Sequence, residues 1–107
     1  MDSTIEKQLI YLIDQLIETK LQQNEDFLRF TYYEVIVKEK IDSKLEKEFL
    51  RLAQNKLSNM GYLVYLQDQE FFYNEARMKV QDNELIIAIK MREKDVGKWK
   101  KNTKNNQ

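Results

Sequence analysis

The hydrophobic period of the chain changes at Gly61. Before this glycine, apolar residues recur every three or four positions, as on one face of a helix. After it, β-rich runs such as "YLVYL" and "ELIIAIKM" alternate with turn residues. This order favours an α+β fold in which helices are followed by a small antiparallel sheet. The 107 residues, 42% of them hydrophobic, suit one domain with one modest core.

A first helix is predicted over residues 4–23. Ser3 and Glu6 have the spacing of a capping box, in which two side chains satisfy the free amides of a helix start. The apolar stripe that follows consists of Ile5, Leu9, Leu12, Ile13, Leu16, Ile17 and Leu21. A stripe this broad either covers the core or pairs with a second copy, so a homodimer through this helix is one expectation.

A short second helix is predicted over residues 32–41, after an extended "FLRF" segment. Thr31 and Glu34 form another capping box, and Phe30 and Val35 have the spacing of a hydrophobic staple. These signals outweigh the β-propensity of "YYEVIV".

A third helix is predicted over residues 44–60. Ser43 and Glu46 form a capping box at its start, and Gly61 lies where a glycine often ends a helix. Its apolar stripe is Leu45, Phe49, Leu52, Ala53, Leu57 and Met60. Only two or three residues then link the second helix to the third.

Four strands are predicted after Gly61, over residues 62–66, 70–73, 76–80 and 84–91. Asn74 and Glu75 suit a tight hairpin turn, since Asn tolerates positive φ. The last strand is apolar on both faces and is predicted to lie centrally, beside the first. We expect residues 1–94 to form the domain and residues 95–107 to be a flexible basic tail.

The order of elements is that of a winged helix-turn-helix, in which the third helix enters the major groove of DNA and the hairpin touches the backbone. The candidate nucleic-acid contacts are Lys44, Lys47, Arg51, Gln54 and Asn55 on that helix, with Arg77 and Lys79 on the hairpin. The alternative interpretation is a solvated helix face, which carries the same residue types.

Charge is unevenly distributed along the chain. Its net charge is zero, but residues 90–107 carry +5 and the remaining residues therefore −5. In the tail, Lys98, Lys100 and Lys101 flank Trp99, a pattern that suits phosphate contact and base stacking on single-stranded nucleic acid. The alternative is a solubilising terminus.

Aromatic residues provide a second candidate surface. Tyr32, Phe71, Phe72 and Tyr73 lie in the middle of the chain, and strand alternation cannot bury both Phe71 and Phe72 on one face. One of the two, together with Tyr32, is expected to form an exposed patch for a protein partner. The acidic body would then suit a basic surface on that partner. The alternative is a sheet that is covered on both faces.

Several kinds of chemistry are excluded or unsupported. The chain has no cysteine and no histidine, which removes thiolate chemistry and the commonest general base and metal ligand. The carboxylate pairs in "QDQE" and "QDNE" lie in predicted turns, and no Gly-rich phosphate loop is present. We therefore expect neither an enzyme nor a cofactor. The absence of a long apolar run or signal-like N-terminus predicts a cytoplasmic location without membrane contact.

One segment carries a resemblance to known sequences. "TYYEVIVKEKIDSKLEKEFLRLAQNKLSNMGYLVYL", continued by "DNELIIAIK", resembles small winged-helix-like proteins encoded by phages and mobile elements of low-GC Gram-positive bacteria. The resemblance covers about residues 30–91. It implies a winged-helix fold and a non-enzymatic role. Two hypotheses for the role of the chain follow from all these features together: a nucleic-acid-binding accessory protein, or an inhibitor of a host protein that handles nucleic acid or defends the host.

Overall fold

The described part of the chain is α+β, with five strands and two longer helices. The structure, a computed structural model, describes residues 3–91. Its elements are α1 (Ser3–Gln23), β1 (Phe27–Thr31), a π-helical turn (Tyr33–Val37), a 3-10 turn (Ser43–Leu45), α2 (Glu46–Asn59), β2 (Tyr62–Leu66), β3 (Glu70–Tyr73), β4 (Ala76–Lys79) and β5 (Glu84–Lys90). The predicted antiparallel strands are thus confirmed, and "FLRF" becomes strand β1.

Strand β5 is the centre of a three-stranded antiparallel sheet with the order β1-β5-β2. Ala88 pairs with Leu28 on one side and with Val64 on the other. Its apolar sequence suits this position, because a central strand is covered on both faces. The prediction of a central last strand beside 62–66 is confirmed.

The helices cover one face of this sheet, which we call the helical face. Leu28, Phe30, Ile86 and Ala88 point into the core there. They meet Leu9, Ile13 and Ile17 of α1 and Phe49, Ala53 and Leu57 of α2. The buried stripe of α1 therefore serves the domain's own core.

The β3–β4 hairpin covers the opposite face, which we call the hairpin face. Ile87, between the inward-facing Ile86 and Ala88, points the other way and packs with Phe71 and Val80. Phe27 of β1 reaches the same layer, with its ring centroid 4.8 Å from that of Tyr73. The described chain thus has three layers: helices, three-stranded sheet and hairpin.

The predicted second helix is shorter than expected. Instead of a helix over 32–41, a π-helical turn spans Tyr33–Val37 and residues 38–42 link it to the 3-10 turn. Three successive β-branched residues at 35–37 have low helix propensity. Lys40 then ends the turn in the left-handed conformation, with φ 54. The linker is therefore longer than the two or three residues predicted.

The cap predictions fared differently from one another. Glu34 N donates to Thr31 Oγ1 at 3.2 Å while Thr31 N donates to Glu34 Oε2 at 3.0 Å, which confirms that capping box. The third helix, however, is capped by Asp42 and not by Ser43: the Asp42 side chain accepts from Lys44 N at 2.9 Å. A carboxylate is as good a cap as a hydroxyl, so the helical region begins one residue earlier.

Both predicted turns at positive φ are present. Gly61 follows α2 with φ 94. Asn74 and Glu75 have φ of 51 and 67, the signature of a type I′ hairpin turn. The β3–β4 hairpin therefore twists in the direction that strands favour.

Candidate functional site

A groove lies between the β3–β4 hairpin and the hairpin face of the sheet. Its volume is about 480 Å³. Its apolar lining consists of Leu63, Tyr65, Phe72, Tyr73 and Ile89. Three charged residues, Asp26, Glu75 and Lys90, also line it. We call this feature the hairpin groove.

The two adjacent phenylalanines of β3 have opposite environments. Phe71 is 4% exposed and stacks on Tyr65, with ring centroids 4.9 Å apart, so it fixes the hairpin onto the sheet. Phe72 is 70% exposed and lines the hairpin groove. Alternation along β3 requires this division. It leaves a large aromatic ring available to a partner.

The four sequence-predicted partner residues do not form one patch. Phe72 and Tyr73 line the hairpin groove, while Phe71 lies beneath it in the core. Tyr32 follows the far end of β1, where its amide donates to Asn83 O at 2.8 Å. The structure therefore does not bring Tyr32 to the groove, although its side chain is 40% exposed.

The groove carries more negative than positive charge. Lys90 lies 3.6 Å from Glu25, measured from Nζ to Oε2, so its charge is partly matched already. Asp26 and Glu75 line the groove with no ion pair to any residue between 3 and 91. Next to this pair, the backbone oxygen of Glu25 accepts a hydrogen bond from Tyr62 Oη at 2.5 Å, and burial raises the pKa of the Tyr62 hydroxyl. The excess of carboxylates over cations in the groove favours a partner with cationic groups.

The candidate nucleic-acid contacts on the third helix lie on its solvent side. Lys44, Lys47, Arg51 and Asn55 are exposed, and Gln54 is half-buried. Arg51 is hydrogen-bonded to Glu48, which raises the pKa of Arg51 and lowers that of Glu48. Lys44 and Lys47 have no ion pair with any residue between 3 and 91.

The candidate cations of the hairpin lie on the other side of the molecule. Arg77 Nη2 is 2.6 Å from Glu70 Oε2, and Lys79 Nζ is 3.8 Å from Asp68 Oδ1. Because α2 covers the helical face and β4 covers the hairpin face, the sheet separates these cations from those of α2. The remaining candidates, Lys98, Trp99, Lys100 and Lys101, lie outside the described residues, as does the predicted tail.

The described part of the chain shows no arrangement suited to metal chemistry. Between residues 3 and 91, no three side chains of metal-ligating type cluster together. Of the carboxylates in the two predicted turns, Asp68 and Glu70 face cations of the hairpin, and Glu84 is paired with Arg29. No helix within this range has the length and apolar character needed to cross a membrane.

Several groove residues escaped the sequence analysis. Leu63, Ile89, Asp26 and Glu75 come from four different parts of the chain, and only the packing of the hairpin brings them together. Leu63, Ile89 and Glu75 lie in predicted strands and in the predicted hairpin turn, but nothing in the sequence indicates that these elements meet. No protein-family model matches the chain, and no curated protein or solved structure matches it either.

Proposed function

We propose that the chain is a non-enzymatic protein-binding module whose hairpin groove receives an apolar, positively charged segment of a partner protein. The observation that carries this proposal is the exposure of Phe72, 70% of whose surface faces solvent beside a groove of about 480 Å³. Aromatic side chains are enriched at protein interfaces, where one ring can fill a pocket of the partner.

The groove has the composition of a recognition site. Leu63, also 39% exposed, adds an aliphatic surface next to Phe72. Apolar walls with a few charged groups are typical of binding sites: the walls supply affinity and the charges supply orientation. Exposed apolar groups that cluster mark interaction surfaces more often than single ones do.

The charge of the body supports a cationic partner. Between residues 3 and 91 there are twelve Lys and Arg against fifteen Asp and Glu, a net charge of −3. Asp26 and Glu75 place part of this excess at the groove. Complementary charge speeds encounter and selects among partners. A host protein that handles nucleic acid has such a basic surface, so the acidic body would suit an inhibitor of that protein.

Nucleic-acid binding by a winged helix-turn-helix is the second candidate. It is favoured by Lys44 and Lys47, which lie at the start of the third helix without an ion pair among the described residues. It is disfavoured by the carboxylates beside Arg51, Arg77 and Lys79, because a phosphate would have to displace each of them. A wing also has to reach the DNA beside the recognition helix, whereas β3–β4 packs on the opposite face of the sheet from α2.

Selection from a displayed library of random peptides tests the protein-binding proposal. We expect peptides enriched on the wild-type protein to combine aromatic or aliphatic residues with Lys or Arg. Their binding should fall about tenfold or more in Phe72→Asp, because the variant loses the exposed ring and places a hydrated carboxylate where the peptide's apolar side chains would pack.

The matched control is Tyr11→Asp. Tyr11 on α1 is 68% exposed, close to the exposure of Phe72, but lies on the other side of the sheet. Peptides that bind Phe72→Asp and wild type equally well, or a selection that enriches nothing, would contradict the proposal. Equal loss in both variants would show that the selected peptides recognise exposed aromatic rings in general.

A further inference from the structure

Strand β2 is an outer strand of the three-stranded sheet, and no strand among the described residues pairs with its second edge. Met91 N donates to Gly61 O at 3.0 Å, which fixes the alternation of hydrogen bonds between β2 and β5. In that alternation Leu63 and Tyr65 bond to β5, while the amides and carbonyls of Tyr62 and Val64 point away from it. These two residues offer four backbone groups that no strand between residues 3 and 91 uses.

The opposite edge of the sheet carries a charge that β2 does not. In β1, Arg29 places a half-exposed charged side chain in the middle of the strand. Each edge strand has one outward amide capped at its end: Thr31 N donates to Glu34 Oε2 at 3.0 Å in β1, and Leu66 N donates to Gln69 Oε1 at 2.7 Å in β2. A charge within an edge strand hinders pairing between separate molecules. β2 has no charged residue and no proline.

We propose that β2 pairs antiparallel with β2 of a second copy of this chain, about a two-fold axis at Leu63. In this register Tyr62 of one copy faces Val64 of the other, and their outward groups form four hydrogen bonds. The same four groups are the ones that no strand between residues 3 and 91 pairs with. A two-fold interface requires such a self-complementary surface.

The charge pattern around β2 suits this self-pairing. Residues 59–67 contain no charged side chain, although 34% of the chain is charged. Like charges directly opposite each other destabilise a strand pair, and this register, which pairs residues 62–64 of the two copies, creates none. Leu63 meets its own copy at the axis, so its 39% exposed side chain becomes buried. Because Leu63 also lines the hairpin groove, the two grooves of the dimer adjoin each other.

Sedimentation equilibrium of the full chain tests this inference without any other partner. We expect a monomer–dimer equilibrium with a dissociation constant between about 1 and 100 µM. Leu63→Lys should raise that constant about tenfold or more, since the change removes an apolar contact and opposes two like charges at the axis. Leu63→Glu should do the same.

An equimolar mixture of Leu63→Lys and Leu63→Glu then identifies the register. Each lysine faces a glutamate of the other variant at the two-fold axis, so the mixture should dimerise more tightly than either variant does alone. The matched control is Ile10→Lys, because Ile10 on α1 is an aliphatic residue with the same 39% exposure. Its dimer should match that of the wild type.

Hydrogen exchange of the wild-type protein provides an observation that needs no variant. We expect the amides of Tyr62 and Val64 to become protected as protein concentration rises through the dimer range. A monomer at every concentration up to about 1 mM would overturn the inference. So would a dimer that Ile10→Lys breaks and the Leu63 variants do not, which would assign the interface to α1.

Discussion

Arg29 Nε in β1 lies 2.6 Å from Glu84 Oε2 in β5, and Glu84 is only 8% exposed. The other carboxylate oxygen of Glu84 accepts from Gln81 N at 2.8 Å. A nearly buried carboxylate needs such partners, because leaving it without them costs more free energy than the pair itself provides. The pair therefore ties the edge strand β1 to the start of the central strand.

Removal of the cation alone should destabilise the fold. We expect Arg29→Met to lower the free energy of unfolding by about 1–2 kcal/mol, below the range for fully buried pairs because Arg29 is half exposed. Urea unfolding measures the change. Arg29→Met with Glu84→Gln is the control: it should recover part of the loss, since no buried charge then remains. A single variant as stable as wild type would contradict this role.

The end of the π-helical turn is held by a residue in an unfavourable conformation. Ile41 N donates to Ile36 O at 3.0 Å and Lys40 N donates to Val37 O at 3.2 Å, the two bonds of a Schellman motif. Lys40 occupies its left-handed position, with φ 54, where glycine is preferred. Lys40→Gly should therefore raise the free energy of unfolding by about 0.5–1 kcal/mol.

The matched control lies two residues earlier. Lys38 has φ −64, an ordinary right-handed value, so Lys38→Gly should instead lower the free energy of unfolding by about 0.5–1 kcal/mol. Thermal unfolding of both variants gives the comparison. The same sign of change in both would mean that the conformation of Lys40 does not limit stability.

The turn of the β3–β4 hairpin has a second residue at positive φ where glycine should stabilise the fold. Glu75 occupies the second turn position with φ 67, where type I′ turns favour glycine after asparagine. Glu75→Gly should stabilise the chain by about 0.5–1 kcal/mol in urea unfolding, because the Cβ strain disappears. Asn74→Ala, which loses the residue type that tolerates φ 51, should destabilise it. A Glu75→Gly variant that is less stable than the wild type would argue against this turn type.

Glu34 should contribute a pH-dependent part of the stability. Burial raises the pKa of Glu34. The hydrogen bonds from Lys20 and Thr31 and the charge of Lys20 lower it, and together they outweigh burial, so the pKa of Glu34 lies below its ordinary value of 4.5. A carboxyl with a depressed folded-state pKa stabilises the protein above its unfolded pKa. That stability is lost as the pH falls through the folded value.

Unfolding midpoints in urea at pH 7 and pH 3 test this contribution. We expect the wild type to lose about 0.5–1 kcal/mol more than Glu34→Gln between these values, the range for a partly exposed pair. Glu39→Gln is the control, since Glu39 is exposed and has no ion pair among residues 3–91. An identical pH response in wild type and Glu34→Gln would contradict the assignment.

Local patterns predicted most of the elements. Alternation and turn residues located β2 and the Asn74–Glu75 turn, because both depend on residues adjacent in sequence. The Thr31–Glu34 capping box was likewise visible as a spacing of three. The length of the π-helical turn was missed because three β-branched residues oppose the helix that the cap begins.

The candidate site was not predictable in the same way. Strand alternation required Phe71 and Phe72 to face opposite sides, but it did not say which one would be buried or against what. That depends on the hairpin folding back over Ile87, which is an effect of tertiary packing. A winged-helix reading assumes a hairpin beside the recognition helix, so the cations of α2 and β4 were grouped together although the sheet separates them.

Photo-crosslinking in cells that express the chain tests most directly whether it binds protein through the hairpin groove. A photoreactive amino acid placed at Phe72, in the groove, or at Lys47, on α2, forms adducts only with molecules in contact there. We expect position 72 to yield a protease-sensitive adduct with a protein other than a second copy of this chain. We expect position 47 to yield no adduct. A nuclease-sensitive adduct at position 47, with no protein adduct at position 72, would contradict protein binding through the groove.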